Sequence, residues 1–248
     1  MCLLALYYQQ VPRAPLLVAA NREEFFDRPF LAPRVMGTHC RYLAGIDQRA
    51  GGTWLGVNDR GLLVAVTNRP KAVLPINPRS RGLLCNDLLE RESFAEAAAH
   101  LRRELTSGHY AGANFVVASG ERGAIFEAGD TLCETPLVPG LHLVTNGPAN
   151  DPVDPRQALV REMFAVDPPH DVASFLITAE RVCRQGPDGK GRAVVIRRPE
   201  RGTVSSTLVA LTAVPDDAVY QFAPGVPDVT PYEDYSETFR RLLNGRGD

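Results

Sequence analysis

The chain has 248 residues, 44% of them hydrophobic and 23% charged, and a chain of this size buries about 70% of its unfolded surface on folding. Those proportions exclude a disordered polymer as a description of the whole. Lys and Arg number 27 against 29 Asp and Glu, so there is no global positive field to draw in nucleic acid or an anionic membrane.

Apolar runs of strand length, punctuated by 21 Gly and 20 Pro, recur along the sequence. In chain order they predict strands at about 2–8, 15–20, 42–46, 54–58, 62–68, 113–119, 124–128, 141–146, 193–197, 204–212 and 219–222. The segments Asn58-Asp59-Arg60-Gly61 and Gly120-Glu121-Arg122-Gly123 sit between apolar runs and read as short antiparallel turns. Helical periodicity predicts helices over about 81–106, 155–165 and 171–183; in the first, Leu84, Leu88, Phe94, Ala98 and Leu101 share a face. Strands therefore come in antiparallel groups with helices inserted between them, which favours an α+β fold over strict β-α-β alternation. One domain spanning 1–248 is expected, with a loose stretch near 184–202.

No apolar run approaches the length of a membrane-spanning helix, so no membrane insertion is expected. Met1-Cys2-Leu3-Leu4-Ala5-Leu6 lacks a basic flank and is too short for a secretory core, and the five cysteines form neither a disulfide framework nor a Cys-x-x-Cys pair. A cytoplasmic location is the expectation that fits. The five histidines show no metal-binding spacing, and Gly186-Pro187-Asp188-Gly189-Lys190-Gly191 lacks the form of a phosphate loop, so no metal or other resident cofactor is expected. Arg184, Lys190, Arg192, Arg197, Arg198 and Arg201 form either a solvated loop or an anion-binding rim.

Cys2 carries the chemistry. If the initiator methionine is trimmed, Cys2 holds a thiol and a free α-amine together, with reference pKa values of about 8.5 and about 7.7–8.0, and the amine can take the thiol proton near neutral pH. Pairing 2–8 with 15–20 across the intervening turn places Cys2 opposite Asn21 or Arg22, beside the polar run Asn21-Arg22-Glu23-Glu24. A guanidinium there stabilises thiolate. Two strands end alike, in Thr67-Asn68-Arg69-Pro70 and Thr145-Asn146-Gly147-Pro148. Asn68 and Asn146 are thus candidate amide donors to a tetrahedral oxyanion. Each of these features also has a plain reading, as an apolar strand start, a solvated strand end and two turn-forming asparagines.

Taken together, Met1-Cys2, Ala19-Ala20-Asn21-Arg22-Glu23-Glu24-Phe25 with Arg28-Pro29, Gly51-Gly52-Thr53-Trp54-Leu55-Gly56, Thr67-Asn68, Ser80-Arg81-Gly82 and Ser205-Ser206-Thr207 resemble the NRDE family, whose eukaryotic members are the transport and Golgi organisation 2 proteins. The motifs fall in family order from residue 1 to about 212. The resemblance implies a four-layer αββα sandwich of antiparallel sheets, similar to N-terminal-nucleophile hydrolases of the cholylglycine-hydrolase and penicillin V acylase group. It implies Cys2 as nucleophile, Arg22 beside it and Asn146, with Asn68, at the oxyanion. Two departures stand out. Glu23 occupies the Asp place of the Asn-Arg-Asp-Glu motif, and position 25, where the group has an Asp that holds the α-amine, is Phe25. Glu23, Glu24 or Asp47 would have to substitute, and Glu23, Glu24 and Trp54 are the expected substrate-side residues. Trp54 otherwise packs beside a glycine bend.

The expected function is a cysteine amidohydrolase or acyltransferase acting on an amide bond of a small molecule. The alternative is a non-catalytic haem- or lipid-binding trafficking protein, in which any haem sits noncovalently, since no Cys-x-x-Cys-His motif is present.

Overall fold

The computed structural model describes residues 2–245. In chain order the elements are β1 (Leu3–Val11), β2 (Ala14–Phe25), β3 (Phe30–Met36), β4 (Tyr42–Asp47), β5 (Leu55–Asn58), β6 (Leu63–Asn68), α1 (Arg81–Leu89), α2 (Phe94–Thr106), β7 (Ala113–Ala118), β8 (Gly123–Ala128), β9 (Leu132–Pro136), β10 (Gly140–Val144), α3 (Pro155–Val166), α4 (Val172–Cys183), β11 (Arg201–Leu211), β12 (Val219–Ala223), β13 (Glu233–Asp234) and α5 (Ser236–Leu243). They form two antiparallel sheets, one in the order β10-β1-β2-β11-β12-β13 and the other β3-β4-β5-β6-β7-β8-β9. The α+β class follows directly. The chain divides into two compact units, the first made of residues up to Asp27 with Val138–Glu237, the second of Arg28–Leu137 with the residues from Thr238 onward.

Within the first unit the period-two alternation of the strands decides what each face meets. Leu3, Ala5, Leu17, Ala19, Leu208 and Ala210 project to one face and bury against Val160 and Phe164 of α3 and Phe175, Ala179 and Val182 of α4. Tyr7, Phe164 and Phe175 stack in series, with centroids 6.1 and 6.2 Å apart. Within the second unit Val64, Phe115, Val117 and Phe126 bury against Leu84 and Leu88 of α1 and Ala97 and Leu101 of α2. Each unit is thus a sheet with a helix pair on one face. Among the described residues no helix is long and apolar enough to cross a membrane.

The glycine-bearing motifs have a packing reason in the second unit. A Cβ on Gly52 would stand 2.1 Å from the backbone carbon of Gly82 and 2.4 Å from the nitrogen of Leu83. The Thr53 N–H meanwhile donates to the Gly82 carbonyl at 3.1 Å. The strand entry at 51–54 and the start of α1 therefore touch backbone to backbone, which only glycine permits.

Several predicted elements differ from the observed ones. The helix expected over 81–106 is two helices, because Ser93 caps the second by accepting the Glu96 N–H at 3.3 Å. The strand expected at 193–197 is irregular: Val194 and Val195 both donate to the Gln185 carbonyl, and one bridge, Arg197 to Gly202, is all that remains of a ladder. Strands β3, β9 and β13 and helix α5 were not predicted. β3 and β9 are the two edges of their sheet and carry Pro33 and Pro136, consistent with proline's confinement to strand edges.

Candidate active site

The site is built by strand register. β1 and β2 pair Leu3 with Asn21 and Leu4 with Ala20, and one further step carries Cys2 opposite Arg22. A bulge sets this. Val11 lies opposite Ala14 across the two-residue turn Pro12-Arg13, but Tyr8 lies opposite Leu16, so β1 holds one extra residue near Gln9, whose φ is 49°. Without it the register from the turn would bring Cys2 to Glu23. On the other side of β1, Leu4 pairs with Val144, where β10 ends, and the same register continued two residues further would bring Asn146, at a bend, to the level of Cys2. On the far side of β2, Ser205 lies directly opposite Arg22. Arg22 and Ser205 are thus paired across β2 and β11, neighbouring strands lying about 4.8 Å apart, and Cys2 and Asn146 fall at the same level when the registers of β1 and β10 are continued past their last paired residues.

The Cys2 thiol donates to the Glu23 carbonyl at a sulfur-to-oxygen distance of 4.0 Å. Burial pushes this thiol above the ordinary value and the Glu23 charge adds to that rise, while the carbonyl contact and Arg22 act the other way. The resting thiol is therefore protonated at neutral pH and needs a base. Arg22 is buried, with its Nη2 3.9 Å from Glu24 Oε2, and Glu24 Oε1 accepts the Phe25 N–H at 2.9 Å. The Oδ1 of Asn146 is buried without a hydrogen-bond partner among the described residues.

Glu23 and Asn21 project to the opposite, helix-bearing face of β2. The Glu23 side chain is only 3% exposed. Arg156 of α3 donates to both its carboxylate oxygens, at 2.7 and 3.1 Å, and the Thr203 hydroxyl adds a bond at 3.2 Å. Burial pushes the Glu23 carboxyl up, and Arg156 opposes that rise. Asn21 Nδ2 donates to the Cys183 carbonyl at 2.9 Å, tying β2 to the end of α4.

The first turn of α3 joins these parts. Asp154 caps it, accepting from the N–H groups of Arg156 and Gln157 at 2.8 and 3.1 Å, and also accepts the Thr145 hydroxyl at 2.9 Å. Gln157 Nε2 donates to Thr145 Oγ1 at 3.1 Å and to the Pro148 carbonyl at 2.9 Å. Asn146 is thus flanked by two residues fixed to α3, while Arg156 of the same turn holds Glu23 and reaches the Val194 carbonyl at 2.6 Å.

Residues 1–167 match the family model described as Transport and Golgi organisation 2. The chain belongs to the transport and Golgi organisation 2 family. It is 32% identical over 232 residues to the transport and Golgi organization protein 2 homolog of Bos taurus, covering 80% of this chain and 82% of that protein. Among solved structures, this family member is similar to the Caenorhabditis elegans N-acylethanolamine-hydrolyzing acid amidase ortholog, with a TM-score of 0.57, 14% identity and 97% of each chain covered. It is also similar to penicillin V acylase from Agrobacterium tumefaciens, with a TM-score of 0.54, 14% identity and coverage of 95% of this chain and 87% of that one. The fold of this family member is that of the N-terminal-nucleophile hydrolases.

Of the residues singled out by sequence, Cys2, Arg22, Glu23, Glu24 and Asn146 belong to the first unit, but Glu23, expected on the substrate side, is turned to the helix-bearing face and held by Arg156. Asn68 and Trp54 belong to the second unit. Asn68 is an exposed residue ending β6, opposite Ala113, and Trp54 meets Phe30 edge to face with centroids 6.1 Å apart. Asp47, also in the second unit, accepts from Arg28 at 2.6 Å and from the Arg49 and Ala50 N–H groups at 3.0 and 3.1 Å. Met1, and with it the question of a free α-amine, lies outside the described residues. In the basic stretch, Arg184 pairs with Glu180, Arg192 with Glu162 and Asp188, and Arg197 with Asp228. Sequence reasoning missed Arg156 and Gln157, and it named Ser205 only within the Ser205-Ser206-Thr207 motif, with no role. The Asp154-Pro155 helix start was a visible signal for the turn that carries the first two, but not for what they hold.

Proposed function

We propose that the chain is a cysteine N-terminal-nucleophile hydrolase or acyltransferase that acts on the C–N amide bond of a small molecule. What supports this reading is the register of β10, β1 and β2, which pairs Leu4 with Val144 and Leu3 with Asn21 and, continued beyond those residues, leads Cys2 to a place between Arg22 and Asn146. The names of the two structural neighbours, a penicillin V acylase and an N-acylethanolamine-hydrolyzing acid amidase, support amide chemistry.

The reading requires Cys2 to be the first residue of the mature chain. Its α-amine then takes the thiol proton, and the sulfur attacks the amide carbonyl carbon. The carbonyl π electrons move to oxygen, which accepts a hydrogen bond from the Asn146 side-chain amide. As the oxyanion collapses, the C–N bond breaks, the departing nitrogen takes the proton held by the α-amine, and a thioester remains on Cys2. Water, or another acceptor in acyl transfer, attacks the thioester and restores the thiol. Arg22 favours the thiolate during attack.

The test is hydrolysis of a panel of N-acyl p-nitroanilides. Cys2→Ala is expected to abolish turnover, and Asn146→Ala to lower kcat by about 10²–10³-fold, the usual loss on removing one oxyanion donor. Turnover by Cys2→Ala at the native rate, or by protein whose mass shows Met1 retained, would overturn the reading. The alternative, a haem- or lipid-binding protein, draws on Phe25, which is exposed at the place where the resemblance expects the amine-holding carboxylate. Haem titration separates the two: a Soret shift at stoichiometric haem together with no p-nitroaniline release supports the binding protein.

A further inference from the structure

Ser205 is fully buried and its hydroxyl has no hydrogen-bond partner among the described residues. Native proteins rarely leave a buried hydroxyl unpaired, and such a group calls for a specific explanation. Its neighbours on β11 show the contrast. Thr203 bonds to Glu23 and to the Ile196 N–H, and Ser206 bonds to the Ala20 carbonyl and Tyr232. Both project to the helix-bearing face with Glu23 and Asn21, their partners across the strand pair. Ser205 is turned away from that face by a second bulge. Thr203 lies opposite Glu23, yet Ser205, not Val204, lies opposite Arg22. Without the extra residue a valine would stand opposite Arg22, and Ser205 would fall opposite Asn21. The fold thus spends a strand irregularity on presenting a hydroxyl beside a buried guanidinium. Asn146 Oδ1 is likewise buried and unpartnered among the described residues.

We propose that Ser205 is a substrate-binding residue, whose hydroxyl donates to an oxygen acceptor on the Arg22 side of the amide that Cys2 attacks. This rests on the hydrolase reading for its chemistry and adds the substrate class: amides bearing a second oxygen function, in place of plain hydrocarbon amides. Two strand spacings put roughly 10 Å between the Cys2 and Ser205 positions. Arg22 stands between them, directly opposite Ser205.

The test needs no amide turnover. N-substituted chloroacetamides alkylate a thiol by displacement, the sulfur bonding to the methylene carbon as chloride leaves. A series is compared in which a ketone, or a methylene in its place, stands four to seven atoms from the reacting carbon, a span matched to roughly 10 Å less the bond at each end. Alkylation of Cys2 is read by mass, and iodoacetamide, too short to reach Ser205, normalises each protein for thiol reactivity. The ketone is expected to speed alkylation of the wild type by roughly tenfold at its best position, the range of one hydrogen bond. Ser205→Ala is expected to abolish the advantage and Ser205→Thr, which keeps the hydroxyl, to retain it. Equal rates for ketone and methylene in the wild type, or an advantage that survives Ser205→Ala, would overturn the assignment. If the ketone advantage holds while no amide is hydrolysed, Ser205 stands and the hydrolase reading falls; the reverse result removes Ser205 and leaves the hydrolase.

Discussion

Arg156→Met is the most informative perturbation of the framework around Cys2. Glu23 and Arg156 have side chains only 3% and 11% exposed and meet through two short hydrogen bonds of 2.7 and 3.1 Å. Removing the guanidinium leaves the buried carboxylate with the Thr203 hydroxyl as its one hydrogen-bond partner among the described residues, and breaking a buried pair from one side costs about 3–5 kcal/mol. In a chain of this length each kcal/mol moves Tm by roughly 2–4 °C, so a fall of about 10 °C is expected. The double variant Glu23→Leu with Arg156→Met removes both charges and fills the space with apolar groups, and is expected to recover most of that loss. Calorimetry of the wild type, the two single variants and the double closes the cycle. A single variant within about 1 kcal/mol of wild type, or a double no more stable than Arg156→Met, would refute the buried-pair argument.

Three further outcomes follow from the same geometry. Glu23→Asp, which restores the family motif, shortens the side chain by one methylene and pulls the carboxylate out of two-point reach of Arg156. A loss of about 1–2 kcal/mol in urea unfolding is expected, and an unchanged midpoint would count against the pairing as the reason for Glu23. Gly52→Ala drives a Cβ into the Gly82 and Leu83 backbone and is expected to cost about 3 kcal/mol or more, the upper end of overpacking; native Tm in this variant would contradict the close approach. Iodoacetamide alkylation of Cys2 is expected to rise with pH only above the ordinary thiol range, because burial and the Glu23 charge raise the thiol. Glu23→Gln removes the charge and is expected to move the profile to lower pH; a move to higher pH would contradict the stated cause.

How far the sequence reveals this arrangement differs from segment to segment. The first hairpin was legible because two short, near-continuous apolar runs flank a turn bearing Pro12-Arg13, and the predicted neighbours of Cys2 included Arg22. The bulge near Gln9 was not, since nothing in Gln9-Gln10 announces a left-handed φ. The polar run Asn21-Arg22-Glu23-Glu24 looked like a strand end, yet β2 continues through it to Phe25 because β11 pairs with it along its length. Polarity there reflects buried partners instead of solvent: Asn21 is matched by the Cys183 carbonyl and Glu23 by Arg156. Such partners lie 162 and 133 positions away, beyond any local pattern. The segment Val194-Val195-Ile196 has strand composition, but Gln185 and Arg156 take the backbone groups a ladder would need. The edge strand β9, mostly exposed, offered no apolar alternation to detect.

The most direct test of the central claim is acid-quenched mass spectrometry during turnover of an N-acyl p-nitroanilide, followed by peptide mapping. The account predicts an acyl group in thioester linkage on Cys2 at the N-terminus of the chain, absent from Cys2→Ala. Product release with no acylated species, or with the acyl group on Cys133 or another cysteine, would contradict it.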